Sequence, residues 1–383
     1  MKEQVKIFLI YISRFLLSFF RLFPIKKNQI LFISFSGKNF TCNPKYIYNE
    51  LIRQNCTYKY IWVLNNLNEK PEKSIVVKYK TFSFYYYLFT SKLIISNYTL
   101  SPKFPIRKKQ ILINTWHGGG AYKKVGLTNN TSEKKRVSRV FDILSKETSY
   151  FFSSCKKQTK SINQTFKIPI NNILEIGYPR NDIFFNKQIE FNEIKKRICE
   201  ELKIPFDKKI LLFAPTYKGQ PGYGISKENI ELNINKICSA LSEKFSAEFI
   251  CIYRGHYYVN STIPENCFDG CKYPDMQELL FICDVLITDY SSSIWDFSFT
   301  KKPCFLYTPD LQQYSTTQEF YEPIDKWGFS YSLTEEKLLQ NIKSFNQLEY
   351  SNNLDSAHTY FGAFDKGASS TESVSIIKRL MEK

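Results

Sequence analysis

One histidine of the chain has neighbours that suit catalysis on an anionic substrate. It is His117, in the segment TWHGGGAYKK. A histidine can act as a general base because its pKa lies near neutral pH. Gly118 and Gly119 let the backbone approach a ligand and expose N–H groups to an anion, and Lys123 and Lys124 add positive charge. A turn with a hydrogen-bonded histidine is the alternative, but the combination favours a functional site.

A run of hydroxyl side chains follows a buried apolar stretch in the segment ITDYSSSIWD. A strand is expected to end at Thr288, before Asp289, and a helix to begin near Ser291. One serine is enough to cap a helix, whereas this segment also offers Ser292 and Ser293. Because helix starts bind phosphate well, the surplus predicts a pyrophosphate site, with a merely capped helix as the alternative.

Three further loops carry polar side chains that suit phosphate chemistry. In YRGHY, Arg254 can neutralise a leaving phosphate and His256 can donate a proton to it, although a surface turn fits that segment equally well. GYPRND contributes Arg180, and APTYK contributes Thr216 and Lys218. Each loop follows a predicted strand, so all of these loops together predict one shared site.

The elements that would position these loops alternate between strand and helix. Short apolar runs predict buried strands at residues 30–35, 60–64, 93–96, 111–115, 173–176, 210–213, 248–253, 285–288 and 304–307. Helical periodicity covers residues 44–53, 192–202, 227–244 and 276–283. Such alternation predicts parallel sheets with ligands at the carboxyl ends of the strands. A polar, turn-rich stretch before residue 192 marks a boundary between two domains.

The charge of the chain, +17 at neutral pH, is concentrated in its first half. Residues 1–30 hold six Lys or Arg against one Glu, and residues 101–140 hold ten against one Glu. Two such blocks favour an anionic partner, which could be nucleic acid, a phosphorylated substrate or acidic lipid. Ten scattered cysteines without a signal-peptide cleavage site indicate a reduced, cytoplasmic compartment, and no metal site is expected.

The N-terminal stretch, residues 5–23, is almost wholly apolar. On a helix, Tyr11, Arg14, Ser18 and Arg21 form one narrow polar stripe. This pattern predicts an amphipathic helix in the membrane interface, with its cations toward anionic headgroups. Packing onto the protein's own core and a transmembrane span are the alternatives, and the central arginine disfavours the span.

Five segments resemble the CDP-glycerol glycerophosphotransferase family, the teichoic-acid primases and polymerases of bacterial cell walls. They are SFSGKNFTCNPKYIYNEL (34–51), NTWHGGGAYKKVG (114–126), GYPRND (177–182), FAPTYKG (213–219) and YPDMQELLFICDVLITDYSSSIWDFSFTKKPCFLY (273–307). The resemblance implies an α/β fold of two Rossmann-like domains that face a cleft, of the glycosyltransferase-B type. The predicted parts are a membrane-associating segment (1–28), an acceptor-binding domain (29–185) and a CDP-donor-binding domain (186–383).

The resemblance also implies a role for each histidine. His117 matches the general base, which takes a proton from the acceptor hydroxyl as that oxygen attacks the β-phosphorus of the donor. His256 matches a second functional histidine near the donor pyrophosphate, with Arg254 before it. Ser291 and Ser292 match phosphate-binding serines at a helix start.

Further contacts follow from the same motifs. Glu278 suits the ribose or cytidine side of the donor, and Asp289 has a structural or orienting role. The predicted donor-binding residues are Arg254, Thr288, Asp289, Ser291, Ser292, Ser293, Glu278, Thr216 and Lys218. The predicted acceptor-binding residues are Gly118, Gly119, Lys123, Lys124 and Arg180.

Two departures from the family pattern concern the histidine loops. The first loop often reads Trp-His-Gly-Thr-Pro in the family, and here it reads WHGGGAY, which bears on the acceptor. The second histidine is usually followed by proline, and here by Tyr257. No Asp-x-Asp metal motif is found, so neither a metal nor a cofactor is expected, and positive charge for the leaving CMP would come from Arg254, a helix end and lysines.

The expected activity is transfer of a polyol phosphate, glycerol phosphate first, from a CDP-activated donor to a hydroxyl of a membrane-linked glycan or polyol-phosphate acceptor. CMP is the product, and the setting is teichoic-acid or capsule-like polymer synthesis at the cytoplasmic face of the cell membrane, as a peripheral protein without a nucleic-acid partner. The alternatives are transfer from CDP-ribitol, a glycosyltransferase that uses a nucleotide sugar, and a non-enzymatic membrane-bound assembly or nucleic-acid-binding protein.

Overall fold

The chain folds into two α/β units, each built around one sheet whose strands all run parallel. The structure, a computed structural model, describes residues 2–128, 134–186, 191–216, 232–255 and 263–382. The first unit contains Met1–Asp182 and Phe361–Lys383, and the second contains Ile183–Tyr360. This agrees with the α/β class and the two parallel-sheet domains that the sequence predicts.

The first unit has a seven-stranded sheet in the order β3-β2-β1-β4-β5-β6-β7. Its strands are β1 (Lys26–Ile33), β2 (Lys59–Val63), β3 (Ser74–Val77), β4 (Ser91–Ser96), β5 (Ile111–Asn114), β6 (Tyr150–Phe152) and β7 (Ile173–Leu174). Both faces of β1 are covered, because Ile30 and Phe32 join one apolar cluster and Leu31 and Ile33 join another. Burial on both faces explains why this strand is a continuous apolar run.

Helices cover both faces of this sheet. They are α1 (Lys2–Leu17), α2 (Cys42–Arg53), α3 (Phe82–Thr90), α4 (Lys134–Glu147), α5 (Lys156–Phe166) and α13 (Ser369–Glu382). The unit to which α13 belongs differs from the prediction, which assigned residues 186–383 to one domain. Its apolar side chains Val374 and Ile377 pack into the same cluster as Ile47 and Leu51 of α2, so the end of the chain belongs to the first unit.

The second unit has a six-stranded sheet in the order β10-β9-β8-β11-β12-β13. Its strands are β8 (Lys209–Phe213), β9 (Phe249–Tyr253), β10 (Cys267–Asp269), β11 (Val285–Thr288), β12 (Cys304–Tyr307) and β13 (Ser330–Ser332). Its helices are α6 (Phe191–Leu202), α7 (Ile234–Phe245), α8 (Met276–Ile282), α9 (Ser293–Ser298), α10 (Leu311–Thr317), α11 (Glu335–Lys343) and α12 (Gln347–Phe361).

Each sheet has a point at which the strand order changes direction. In the first sheet this point lies between β1 and β4, and in the second it lies between β8 and β11. Ligands of parallel sheets bind beside such points, at the carboxyl ends of the strands. The loops predicted from the sequence as functional follow β5 and β7 in the first unit and β8, β9 and β11 in the second.

The strands predicted from apolar runs are all present as β1, β2, β4, β5, β7, β8, β9, β11 and β12. The strand predicted at residues 30–35 ends at Ile33, because Phe35 and Ser36 adopt positive φ angles of 44° and 58° that no extended strand allows. The strands that the sequence did not indicate are β3, β6, β10 and β13, which are short. The helix predicted at residues 227–244 begins at Ile234, and its first predicted residues, 227–231, lie outside the described part of the chain.

The N-terminal helix differs from its prediction in the direction of its polar stripe. The guanidinium of Arg14 pairs with the carboxylate of Glu147 on α4 and donates to the carbonyl oxygen of Pro102 at 2.8 Å. The Nε of Arg139 donates to the hydroxyl of Tyr11 at 2.9 Å. Arg14 and Tyr11 of the stripe expected to meet lipid headgroups therefore contact the protein instead, whereas Arg21 of the same stripe is exposed. No described helix has the length and apolar character that a membrane span requires.

Candidate functional site

The loop after β5 holds His117 in a backbone conformation that side chains of other segments fix. Trp116 has a φ of 54°, which is rare for a bulky residue and costs free energy. The side-chain amide of Asn43 donates to the carbonyl oxygens of Thr115 and Trp116, both at 3.0 Å. The N–H of Trp116 donates to Oδ1 of Asn114 at 2.9 Å. These bonds hold the strained turn that places the histidine at the end of the strand.

The imidazole of His117 is oriented by a main-chain carbonyl and by aromatic rings. Its Nδ1 lies 2.9 Å from the carbonyl oxygen of Asn97, the residue that follows β4. The rings of Tyr98 and Phe35 lie 5.4 Å away between centroids. Because a carbonyl oxygen only accepts hydrogen bonds, Nδ1 carries the proton, and Nε2 of the neutral ring is the basic nitrogen.

Three buried side chains bind the carbonyl oxygens of His117 and of the glycines after it. Nη1 of Arg180 donates to the carbonyl oxygen of His117 at 2.7 Å. The hydroxyl of Tyr178 donates to the carbonyl oxygen of Gly118 at 3.1 Å. The amide of Gln158 donates to the carbonyl oxygens of Gly118 and Gly120, the second at 2.9 Å. These three residues, Gln158, Tyr178 and Arg180, are called the carbonyl clamp below.

The acceptor-side residues predicted from the sequence thus separate into two groups. Gly118 and Gly119 lie in the loop that the clamp holds, and Lys123 and Lys124 follow it as half-buried side chains. Arg180 was predicted to contact the acceptor, but it is only 4% exposed and its guanidinium binds the loop itself. Its position makes it a residue that orients the His117 loop.

Several residues of this loop's surroundings were missed by sequence reasoning. Asn43 and Tyr178 lie in segments that carry the family resemblance, but their contacts with the His117 loop were not recognised. Asn97 and Gln158 lie in segments without any motif. The one available signal is their polar character beside otherwise buried strands and helices.

In the second unit, an aspartate joins the ends of the two central strands. The carboxylate of Asp289, after β11, accepts from the N–H of Thr216, after β8, at 2.9 and 3.0 Å, and also from its hydroxyl. Asp289 is fully buried, which fits its expected orienting role. Thr288 was predicted to bind the donor, but it is buried and its hydroxyl donates to the carbonyl oxygen of Ala214 at 2.6 Å. It therefore supports the strand ends.

The serine cluster lies at the start of α9. This helix begins at Ser293, two residues later than the predicted start near Ser291. Ser291 caps the start, because its Oγ accepts from the N–H of Ser293 at 3.3 Å and from the Ser293 hydroxyl at 2.9 Å. Ser292 occupies the N-cap position without a side-chain capping bond. Ser291 and Ser292 are half-buried and Ser293 is buried. That Ser291 and Ser292 bind phosphate stays a prediction.

Arg254, at the end of β9, is held by its own unit. Its Nη1 donates to the carbonyl oxygens of Gly270 and Tyr273 at 2.8 and 2.5 Å. Burial lowers the pKa of its guanidinium below the ordinary value. Arginine side chains nevertheless stay charged in proteins. The structure therefore places a fixed positive charge at this strand end. His256 and Lys218, the other residues predicted from these loops, lie outside the described residues.

Glu278, on α8, is a buried carboxylate with polar partners. The Tyr273 hydroxyl donates to its carboxylate, and Arg197 pairs with it at 3.0 Å. Burial and the neighbouring Glu278 raise the pKa of Tyr273. The prediction that Glu278 meets the ribose or cytidine stays a prediction. Among the described residues, no group of three or more His, Cys, Asp or Glu side chains is placed to hold a metal ion.

The fold and these loops define a class: a protein of two parallel α/β units with polar loops at the strand ends. Residues 15–379 match the family CDP-Glycerol:Poly(glycerophosphate) glycerophosphotransferase, and the chain belongs to this family. It is thus a CDP-glycerol glycerophosphotransferase-type enzyme of teichoic-acid synthesis, which removes the interpretation as a non-enzymatic binding protein.

Relatives and solved structures agree with this assignment. The chain is 31% identical over 371 residues to a teichoic acid poly(glycerol phosphate) polymerase of Bacillus spizizenii, covering 92% of both chains. It is 32% identical over 303 residues to a teichoic acid glycerol-phosphate transferase of Staphylococcus aureus, covering 75% of this chain and 76% of the relative. The structure of the wall teichoic acid polymerase TagF matches 99% of this chain and 96% of its own with a TM-score of 0.84 and 26% identity.

Proposed function

We propose that the protein transfers glycerol phosphate from CDP-glycerol to a hydroxyl of a membrane-linked glycan or polyol-phosphate acceptor. The acceptor oxygen attacks the β-phosphorus of the donor, the bond from that phosphorus to the bridging oxygen breaks, and CMP leaves. The proton of the acceptor hydroxyl passes to His117. The first unit binds the acceptor and the second binds the donor, with the membrane-associating segment at residues 1–28.

The orientation of the His117 ring is the single observation that carries this proposal. The carbonyl oxygen of Asn97, 2.9 Å from Nδ1, keeps the proton on that nitrogen. Nε2 is then the basic nitrogen, as a general base requires. When Nε2 accepts the acceptor proton, the resulting cation is stabilised by the same carbonyl oxygen, which accepts from Nδ1–H before and after the transfer.

The donor side is supported by the half-buried serines before α9 and by the fixed positive charge of Arg254. Ser291 and Ser292 would donate hydrogen bonds to the donor pyrophosphate, and Thr216 is positioned beside them by Asp289. Charge-assisted hydrogen bonds of this kind stabilise the negative charge that develops on the leaving CMP. His256 would protonate that leaving group, and Lys218 would add charge.

Peripheral attachment to a lipid bilayer at the cytoplasmic face is supported by the outer face of α1 and the short helical turn after it. Phe8, Phe15, Leu16, Phe19 and Leu22 are between 59% and 80% exposed. Since Arg14 and Tyr11 of the polar stripe contact the protein, this apolar face would enter the interface region of the bilayer, and the exposed Arg21 would meet anionic headgroups.

CDP-ribitol is the second candidate donor, because relatives with that specificity are similar too. The ribitol-phosphate polymerase TarL of Staphylococcus aureus is 29% identical over 319 residues. Ribitol is a longer polyol than glycerol, and a binding site needs few changes to accept the longer chain. The two donors must therefore be tested side by side.

The test is CMP release by the purified protein with CDP-glycerol and CDP-ribitol separately, each with and without a lipid-linked disaccharide acceptor. Acceptor-dependent CMP from one donor, abolished in His117→Asn, would support the proposal and select the polyol. If neither donor gives CMP while the protein is folded and bound to vesicles, the proposal is overturned and nucleotide sugars are the next donors to test.

A further inference from the structure

The glycine loop after His117 contains backbone N–H groups that make no hydrogen bond within the described residues. These belong to Gly118, which is half-buried, and Gly119, which is buried. The next N–H, that of Gly120, donates to Oγ of Ser154 at 3.0 Å. Buried N–H groups without an acceptor are rare because they lose their bond to water and gain nothing in return. The buried N–H of Gly119, which follows a second N–H without an acceptor beside a candidate base, therefore needs an explanation.

The carbonyl clamp explains which way these N–H groups point. In a trans peptide the C=O and the N–H point in opposite directions, and no described peptide bond is cis. Arg180 binds the carbonyl oxygen of His117, so the N–H of Gly118 points away from Arg180. Gln158 and Tyr178 bind the carbonyl oxygen of Gly118, so the N–H of Gly119 points away from them.

The clamp residues form one continuous layer, so both N–H groups leave the same side of the loop. The guanidinium of Arg180 lies 5.2 Å from the ring centroid of Tyr178, and the Tyr178 hydroxyl donates to Oε1 of Gln158 at 2.9 Å. That oxygen also accepts from the N–H and the hydroxyl of Ser154, so the amide of Gln158 has a fixed orientation. Consecutive N–H groups on one side of a turn form a concave site for an anion.

We propose that the N–H groups of Gly118 and Gly119 bind an oxygen of a phosphate group beside His117, and that Gln158 is the positioning residue that presents them. The site rests on the proposed function for the identity of its ligand, because both substrates of that reaction carry phosphate: the polyol-phosphate acceptor and the CDP-linked donor. A phosphate oxygen suits two backbone donors, which have no side chain to ionise or to move away.

Selective labelling makes these two N–H groups observable one by one. The chain has 14 glycines, and among them only Gly118 follows a histidine and only Gly119 and Gly120 follow a glycine. Protein labelled with ¹³C at the carbonyl of histidine or of glycine, and with ¹⁵N at glycine, therefore gives separate NMR signals for this loop. The variant Ser154→Ala removes the acceptor of the Gly120 N–H and so distinguishes its signal from that of Gly119.

The experiment titrates this labelled protein with glycerol 3-phosphate in one arm and with CDP-glycerol in the other. We expect downfield proton shifts of Gly118 and Gly119 and none of Gly120. Shifts with glycerol 3-phosphate assign the site to the acceptor, and shifts with CDP-glycerol alone assign it to the donor. If neither compound moves the two signals up to its solubility limit, the proposal is overturned. Because shifts are measured without turnover, they remain interpretable even if no CMP is released.

The role of Gln158 is tested with a matched pair of substitutions. In Gln158→Glu a carboxylate replaces the amide that donates to two carbonyl oxygens. Gln110 is the control, since it is equally buried and its amide donates to the carbonyl oxygens of Leu88 and Ser91 at 2.8 and 2.7 Å, at the start of β5 and so at the opposite end of this strand from the glycine loop. We expect Gln158→Glu to abolish the ligand-induced shifts and Gln110→Glu to keep them.

A milder variant covers the case in which Gln158→Glu does not fold. Tyr178→Phe removes one of the two donors to the Gly118 carbonyl oxygen and keeps Gln158. It should weaken, several-fold, the binding of whichever of the two compounds shifts the Gly118 and Gly119 signals. Its thermal stability should equal that of Gln110→Glu. Equal binding by Tyr178→Phe, Gln158→Glu and the unsubstituted protein would show that the clamp does not position the N–H groups.

Discussion

The carbonyl oxygen of Asn97 lies 2.9 Å from Nδ1 of His117, and the side chain of the same asparagine accepts from the N–H of Phe35 at 2.9 Å. One residue at the end of β4 thus connects the turn after β1 with the histidine after β5. These three strand ends surround the point at which the sheet changes direction, where a parallel sheet binds its ligands. The histidine is therefore held by the fold and does not depend on a mobile loop for its orientation.

His117→Asn should leave the protein folded and remove general-base catalysis. The acceptor hydroxyl would then have to lose its proton to water, and we expect CMP release to fall by about 10²- to 10⁴-fold. The measurement is acceptor-dependent CMP release together with thermal unfolding. A folded variant that releases CMP as fast as the unsubstituted protein would contradict the assignment.

Asn43→Leu should lower turnover through the shape of the His117 loop. The substitution keeps the volume of the side chain but leaves the carbonyl oxygens of Thr115 and Trp116 without their donor. We expect a loss of about 1–3 kcal/mol in the free energy of unfolding, because two buried acceptors lose a hydrogen bond. Asn43→Asp, which keeps the shape but not the donor, is the matched comparison. Turnover equal to that of the unsubstituted protein in both variants would show that the strained turn does not need this amide.

The sequence predicted the central strands of both sheets because a strand buried on both faces is an uninterrupted apolar run, as in β1 and β11. It also predicted that the motif loops follow strands, since a motif and the strand before it are adjacent in the chain. The orientation of His117 could not be predicted in this way. It depends on Asn97, Gln158 and Arg180, which are distant in sequence and lie in no shared motif.

The end of the chain and the N-terminal helix illustrate the same limit. The apolar side chains of α13 predict a buried helix face but do not indicate which sheet it covers. The periodicity of residues 5–23 predicts a helix, which is present as α1, but hydrophobic periodicity alone cannot distinguish a face that meets lipid from a face that meets protein. Glu147, 133 residues away, decides this by pairing with Arg14.

Arg14→Met should destabilise the protein. Arg14 and Glu147 have side chains that are 18% and 12% exposed, so removal of the arginine leaves a largely buried carboxylate without its partner. We expect a loss of about 3 kcal/mol, and partial recovery in Arg14→Met with Glu147→Gln. The measurement is urea unfolding of both variants. Unchanged stability with weaker binding to anionic vesicles would instead support the original prediction that this arginine meets headgroups.

The apolar face of α1 should determine vesicle binding. Phe15→Glu places a charge on the side chain that is 80% exposed, and it should reduce sedimentation with vesicles of anionic lipid by at least about tenfold, since a buried apolar side chain contributes about 1.5–3 kcal/mol. Leu348→Glu, at a residue of the second unit that is 73% exposed, is the matched control and should sediment normally. Equal binding of both variants would mean that α1 does not enter the bilayer.

His358 should make the stability of the protein fall as the pH is lowered below neutrality. Its Nε2 is 2.6 Å from the Ser298 hydroxyl, its ring stacks on Phe299, and burial together with Lys301 lowers its pKa from 6.5 to about 4, although Asp355 opposes this shift. Between those two pH values the unfolded chain binds a proton at this ring and the folded protein does not. The stability that this difference provides is therefore complete above pH 6.5 and is lost as the pH falls toward 4.

The comparison that isolates this effect is urea unfolding of the protein and of His358→Gln at neutral pH and near pH 5. Glutamine can still bond to Ser298 but cannot ionise, so its free energy of unfolding should change less over this interval. Because one pKa unit corresponds to 1.36 kcal/mol, we expect the unsubstituted protein to lose about 2 kcal/mol more than the variant. Equal losses would place the acid sensitivity on other groups and would mean that the buried ring is protonated in the folded protein.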